Sequence, residues 1–235
     1  MAIAFDAFSS GNTGTAGVLT FSHTCTGSNR ILFVGVHSND TSDVLTSVTY
    51  NGVAMTEVNK VQETDDSVWS YLYFIVAPAT GANDVVATLS TTADLWARST
   101  SYTGAAQTGQ PDANATGNAN TPLTVVTTTI ADNCWVVFSP KSQTGGITAG
   151  TGYTDRAAGS SISIGDSNGP KTPAGDYSMT VTDVNGPNAI AGVAASFAPF
   201  VVLPETKTWN GIAIANIKTY NGIAIANIKT FNSVA

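Results

Sequence analysis

The chain consists of short runs of β-branched and aromatic residues separated by clusters of Gly, Asn, Asp, Ser and Pro, with no amphipathic helical stretch. This pattern is typical of many short strands joined by turns. Roughly ten such runs in the first ~200 residues indicate an all-β protein, an antiparallel β-sandwich most simply built as a jelly roll. The strand pattern shows no internal break, so we predict one body domain over residues 1–200 and a separate tail over residues 201–235.

Individual strands follow from the local pattern. The run Ile31–Val36 is continuously apolar and predicts a central strand buried on both faces. Asn51 and Gly52 lie between two β-prone runs and predict a two-residue hairpin turn, because such a turn needs a positive φ at both positions. Further strands are predicted at 18–24, 47–50, 53–56, 68–76, 85–89, 97–103, 123–129, 134–139, 161–164, 177–181 and 190–197.

The connections and the core follow from the same pattern. The Gly-, Ala- and Asn-rich segments 104–120 and 145–152 are predicted to be exposed loops. A set of large apolar and aromatic side chains on the predicted strands is expected to be largely buried: Leu32, Val34, Trp69, Tyr71, Val85 and Trp135.

The tail is an 11-residue repeat. Lys207–Ile217 recurs almost verbatim as Lys218–Ile228, and a third copy is cut short at Ala235. Each copy runs aromatic, Asn-Gly or Asn-Ser, then alternating apolar residues, which predicts a β-hairpin. A short hairpin cannot bury its own apolar side chains, so we expect the tail to assemble or anchor the protein. The side chains assigned to this assembly are Trp209, Ile212, Ile214, Ile217, Tyr220, Ile223, Ile225, Ile228 and Phe231.

Composition excludes several classes of partner. Only 11% of residues are charged and the formal net charge is −7, with nine Lys and Arg in 235 residues. Because the cations are scattered, we expect no nucleic-acid binding and no polybasic membrane anchor. No apolar run approaches the length of a membrane helix. The start of the chain lacks the basic and apolar regions of a signal peptide, which favours synthesis in the cytoplasm.

Candidate catalytic and metal-binding residues are few. His23 and His37 have no acidic residue at motif spacing, so a surface or structural role is favoured over metal ligation. Glu63 and Asp66 have the residue types of a glycosidase pair, yet they lie in a polar connection and are interpreted as a solvated turn. The oxygen-rich stretch Ser38–Asp43 lacks the full calcium-loop signature, so turn residues explain it better.

Two further groups of residues have both a structural and a functional interpretation. Cys25 and Cys134 lie in strand-like surroundings, where two buried free thiols are favoured over a disulfide. Trp69, Tyr71 and Tyr73 share one strand face by period two, with Phe74 opposite. Such a row can bind sugars, although a position in the core is the commoner arrangement. With no catalytic motif in the sequence, we expect a non-enzymatic protein without cofactor or metal.

The body resembles a β-sandwich domain of tailed-bacteriophage virion proteins and bacterial surface proteins. The resemblance covers roughly the first 90 residues and rests on five stretches: Phe21–Thr24, Ser28–Val36, Val48–Thr56, Trp69–Tyr73 and Pro78–Val86. The tail is similar to C-terminal repeats of phage-associated proteins. Neither resemblance supplies catalytic residues.

The resemblance implies a virion structural protein displayed on the particle, as a head decoration or fibre. It would be made in the host cytoplasm and would contact other virion proteins. Independently of the resemblance, the near-verbatim repetition of the tail suits a symmetric stack of copies and favours a homotrimer. The alternative is a carbohydrate-binding adhesin or receptor-binding tail-fibre protein, in which loops on the same scaffold recognise a host glycan.

Overall fold

A computed structural model describes residues 1–64, 67–157 and 161–201, together with the backbone of 208–209, 212–213, 219–220 and 223–224. All of its sheets are antiparallel, and the described residues contain no helix, which confirms the all-β class. The body strands are β1 Ala4–Cys25, β2 Ile31–Asn39, β3 Leu45–Tyr50, β4 Val53–Ala54, β5 Thr56–Gln62, β6 Trp69–Val76, β7 Gly81–Thr103, β8 Ala113–Asn120, β9 Leu123–Thr128, β10 Trp135–Ser142, β11 Ile147–Ala149, β12 Thr154–Asp155, β13 Gly165–Asp166, β14 Asp176–Asp183 and β15 Ala189–Phe197.

The first half of the body is one seven-stranded sheet organised by two long strands. β1 and β7 pair along their length, from Ala4 opposite Thr103 to Cys25 opposite Gly81, with bulges near Thr13 and Ala16. On its other side, β7 pairs with β3 through its first half and with β2 through its second half. β6 and β5 extend the sheet beyond β2. A single strand therefore spans both halves of the sheet.

This sheet encloses the first core by folding on itself. Val85 and Leu89 of β7 pack in the same cluster as Leu95 of β7, Val34 of β2 and Tyr71 of β6. All of these side chains lie on one face of the sheet, since they occur at alternate positions along their strands. Apolar side chains from both halves of β7 can meet in this way only because the sheet bends between them.

The other face of the same sheet packs on a second sheet, in the order β12-β13-β10-β15-β8. Phe33 and Tyr102 meet Trp135, Val193 and Phe197 in this second core. The far side of the second sheet packs in turn on a three-stranded sheet, β11-β14-β9, around a third core. The body is therefore a stack of four β layers with three cores between them, which confirms the antiparallel sandwich and is compatible with a jelly-roll arrangement.

The two inner layers carry the strands with continuous burial. Residues 31–38 of β2 are all buried, as are all residues of β10 and β15. Close approach of these layers depends on a small residue: a Cβ on Gly35 of β2 would lie 1.8 Å from Oγ of Ser139 on β10. The continuously apolar run Ile31–Val36 was predicted to be buried on both faces, and the structure confirms it.

The predicted turn and most of the predicted core are also confirmed. Asn51 and Gly52 have φ of 51° and 73° between β3 and β4. Five of the large side chains predicted to be buried are so: Leu32, Val34, Tyr71, Val85 and Trp135. Trp69 is only partly buried and packs at the margin of the first core.

Several predicted boundaries were wrong. Residues 85–89 and 97–103 belong to one continuous strand, in which Ala93, Leu95 and Trp96 continue the ladder with β1 after a register shift. The predicted loop 104–120 contains β8, whose alternating small residues pair with β15, and the predicted loop 145–152 contains β11. Residues 161–164 contribute only an isolated bridge from Ile162 to Lys141.

The chain divides into two compact units, Met1–Val201 and Val202–Ala235. In the second unit, the backbone of Thr208–Trp209 pairs with Ile212–Ala213 as β16 and β17. Eleven residues later, Thr219–Tyr220 pairs with Ile223–Ala224 as β18 and β19. The side chains assigned to assembly lie outside the residues that the structure describes.

Candidate functional site

The aromatic row of β6 belongs to the interior. Tyr71 and Tyr73 are 0% and 6% exposed, and Trp69 stacks on Tyr71 with ring centroids 6.0 Å apart. The hydroxyl of Tyr71 donates to Asp43 and that of Tyr73 to Glu57, each over 2.9 Å. Phe74 packs on the opposite face, in the second core. The aromatic row is therefore part of the first core, with its tyrosine hydroxyls bonded to carboxylates, and it offers no exposed platform for a sugar ring.

His37 lies between the two inner layers, fully buried. Its Nε2 is 3.2 Å from Oγ of Ser139, while its Nδ1 has no hydrogen-bond partner among the described residues. Burial holds the pKa of His37 well below its usual range, and the cations Lys141 and Arg98 lower it further. A catalytic Ser–His pair needs a carboxylate on the second ring nitrogen and access for substrate. The described residues give this pair neither, so we assign it to inter-sheet packing.

His23 is buried in a second polar cluster, beneath the paired ends of β1 and β7. Its side chain is 1% exposed, and its Nδ1 is 2.9 Å from Oγ of Ser99. Burial lowers the pKa of His23 to about 4, although the nearby carboxylate of Asp6 acts in the opposite direction. Both histidines therefore have structural roles in the interior. The surface role that the sequence also allowed is wrong for both.

Because the folded pKa of His23 lies below the unfolded value of 6.5, acid should destabilise the body through this residue. The loss begins as pH falls through about 6.5, where only the unfolded chain takes up the proton, and ends near pH 4. Over that window it amounts to about 3 kcal/mol. We expect the His23→Asn variant to lose about 2–3 kcal/mol less than the wild type between pH 7 and 4.5, by urea unfolding. Equal losses would contradict this assignment.

Glu63 is buried, so its interpretation as part of a solvated turn was wrong. The side chain is 1% exposed and accepts a hydrogen bond from Oγ of Ser67. A buried cation, Lys141, lies within electrostatic reach and donates to the carbonyl oxygens of Ser142 and Gln143. Burial lowers the pKa of Lys141 to about 8, and the carboxylates of Glu63 and Asp183 oppose that shift. Asp66, the other member of the proposed pair, lies outside the described residues.

The oxygen-rich stretch Ser38–Asp43 does not collect a metal-ligand set. Asp43 forms an ion pair with Lys60 at 2.5 Å, and Asp40 accepts the backbone N–H of Ser42 at 2.8 Å. Among the described residues, no group of three or more His, Cys, Asp or Glu side chains could hold a metal ion. The interpretation as turn residues therefore accounts for both carboxylates.

The two cysteines are buried free thiols, as favoured from the sequence. Cys25 packs in the first core, whereas Cys134 donates to Oδ2 of Asp112 at 3.1 Å. Burial and the adjacent Asp112 raise the pKa of Cys134 to about 12. A thiol that remains protonated at neutral pH is a poor nucleophile.

A buried ion pair lies where the second sheet packs on the first sheet. Nε and Nη2 of Arg156 bind the two oxygens of Asp166 at 2.9 and 2.8 Å. Asp166 is fully buried and also accepts the hydroxyl of Tyr102 at 2.9 Å. The Arg156 guanidinium lies 4.4 Å from the centre of the Phe5 ring. This network links β1, β7 and β13.

An open cleft of about 360 Å³, which we call the inter-layer cleft, lies where the inner layers end; its lining residues are mostly polar in type, although more of their exposed surface is apolar than polar. Three segments line it: residues 39–41 at the end of β2, residues 67–68 before β6 and residues 143–144 after β10. Only the first of these segments contains a pattern that the sequence singles out, the oxygen-rich stretch Ser38–Asp43. The other two come from connections far apart in the chain, and no local motif signals that they converge.

Comparisons of the chain with protein-family models, curated proteins and solved structures found no match. Among the described residues, no helix is long and apolar enough to cross a membrane.

Proposed function

We propose that the chain is a non-enzymatic structural protein displayed on a tailed-bacteriophage particle, as a head decoration or fibre. The observation that carries the proposal is the use of polar side chains in the body. His23, His37 and the Arg156–Asp166 pair all join strands or sheets to one another inside a four-layer stack. This is the behaviour of a rigid scaffold, and it adds to the resemblance of the first half of the body to virion domains.

The tail supplies the means of assembly in this proposal. Its nine large apolar residues would each contribute about 1.5–3 kcal/mol if fully buried, and an isolated hairpin cannot bury them. Near-verbatim repetition at 11 residues suits a regular, symmetric stack of tails from several copies. We favour a homotrimer, with other virion proteins as further partners and the virion surface as the location.

Deleting residues 205–235 is expected to leave a folded β body that no longer oligomerises, because the apolar repeats are lost while the three cores remain. Circular dichroism would check the fold, and native mass spectrometry the number of copies. Deleting only residues 229–235, the incomplete third repeat, is the matched control and should weaken assembly less. A truncated body with the oligomeric state of the full chain would overturn the role given to the tail.

A second candidate function is recognition of a host glycan, and the inter-layer cleft favours it, since a sugar ring has hydroxyl groups and an apolar face. The aromatic row of β6 is buried and cannot serve as the sugar platform, so a glycan would need another site. The cleft lies at one end of the stack, where six of its seven described lining residues carry polar, accessible side chains and the seventh is the buried Val68.

A further inference from the structure

We propose that the inter-layer cleft at residues 39–41, 67–68 and 143–144 is a binding site for a neutral mono- or disaccharide. The proposal rests on the glycan-recognition function above and is independent of the tail. β2 and β6 are neighbours in one inner layer, where Ser38 lies opposite Trp69, and β10 belongs to the other inner layer. The cleft therefore spans the mouth between the two layers.

The lining has the chemistry that sugar hydroxyls require. Asn39 and Gln143 each offer an amide donor and acceptor, Thr41, Ser67 and Thr144 offer hydroxyls, and Asp40 offers a carboxylate. A sugar hydroxyl both donates and accepts, so amides and carboxylates can bind neighbouring hydroxyls in pairs. The described structure shows no side-chain partner for Asn39, Thr41 or Thr144, which leaves these groups for a ligand.

Other ligand classes fit the same lining poorly. Among the described residues, no Lys, Arg or His lines the cleft and Asp40 is the one charged side chain, so phosphates and carboxylated sugars would meet only repulsion there. The described part of the lining offers no aromatic ring on which a nucleobase could stack. One carboxylate among neutral groups is too little for a divalent cation. The volume is near the lower end of small-molecule sites, about 300–1,000 Å³, which suits one or two sugar rings.

Buried charges hold the Ser67 side chain and the Gln143 backbone of the lining in place. Ser67 donates to the buried Glu63, and Nε2 of Gln143 lies 3.4 Å from Oγ of Ser67. The buried Lys141 donates a hydrogen bond to the main-chain carbonyl oxygen of Gln143 at 3.3 Å. The main-chain N–H of Gln143 donates to the carbonyl oxygen of Ala189 at 3.1 Å. A site whose side chains are fixed before binding loses less conformational entropy when the ligand arrives.

Saturation-transfer NMR on the full chain tests the proposal with millimolar D-galactose, N-acetyl-D-glucosamine and maltose. Glucose 6-phosphate and N-acetylneuraminic acid serve as anionic counterparts. We expect transfer to at least one neutral sugar and none to the anionic pair. The variant Thr41→Ala should weaken binding about fivefold and Gln143→Ala about tenfold, from the loss of ligand hydrogen bonds.

Thr20→Ala is the matched control, since Thr20 is exposed on β1 in the first half of the body and does not line the cleft; it should bind as the wild type does. The absence of transfer to all three neutral sugars would overturn the proposal. Equal binding of the anionic sugars would overturn the ligand class, and unchanged binding by both cleft variants would overturn the site. Deletion of residues 205–235 should leave sugar binding intact. The proposal of sugar binding by the cleft and the proposal of assembly by the tail can therefore be refuted separately.

Discussion

Replacing Arg156 with alanine is expected to destabilise the body by about 3–5 kcal/mol, because it leaves the fully buried carboxylate of Asp166 without its counter-ion. The Tyr102 hydroxyl and the backbone N–H of Asn168 would remain as its hydrogen-bond donors. Neither carries the charge that offsets the cost of removing a carboxylate from water. Urea or guanidinium unfolding at pH 7 measures the loss.

Two companion variants decide whether the buried charge is the cause. Adding Asp166→Asn to Arg156→Ala removes the stranded charge and should recover a large part of the lost stability. Lys60→Ala breaks an ion pair of short distance whose side chains are about one-third exposed, and should cost about 1 kcal/mol or less. If Lys60→Ala and Arg156→Ala prove equally costly, burial is not what makes the Arg156–Asp166 pair strong.

Placing a methyl group on Gly35 is expected to cost about 3 kcal/mol or more, because the two inner layers touch there. A Cβ at this position would lie 1.8 Å from Oγ and 2.8 Å from Cβ of Ser139. Both layers are close-packed on their other faces, so neither can move away freely. Denaturant unfolding of Gly35→Ala gives the loss of stability.

The partner residue supplies the test of mechanism. In the double variant Gly35→Ala/Ser139→Gly the clashing atoms are gone, so the two changes together should cost less than the sum of their separate effects. Gly14→Ala makes the same substitution in β1, where an added Cβ meets nothing within 4 Å, and should change stability by about 0.5 kcal/mol or less. Strict additivity of the Gly35 and Ser139 changes would exclude a direct contact between the layers.

Local pattern was enough for the elements that depend on local chemistry. The apolar run of β2 indicated burial on both faces, and the Asn51–Gly52 pair indicated its turn, since each signal is contained within a few neighbouring residues. The strand β8 was missed for the opposite reason. Its alternating Ala and Asn have weak strand propensity, and it forms because the small residues of β15 allow close pairing, as at Gly117 opposite Gly192.

The burial of the histidines and of Glu63 could not be predicted for a related reason. A polar side chain becomes interior only when a partner satisfies it. The partners of His23 and His37 are Ser99 and Ser139, each more than 70 residues away in the chain. The cleft shares this property, since three distant segments build it. Proximity between distant serines, amides and charges is set by topology, and a single sequence does not display it.

The pairing of β1 with β7 has a consequence for how the body comes to be folded. Ala4 lies opposite Thr103, and the amino group of Met1 donates to the carbonyl of Phe200. During synthesis, the 22 residues of β1 leave the ribosome long before their partner strand exists. β1 therefore waits for β7 before its ladder can be completed, and its backbone stays unpaired meanwhile. Loop closure over such separations slows folding and prolongs the exposure of strand edges. The same long ladder that ties the layers together makes the nascent chain depend on remaining soluble until residue 103 has emerged.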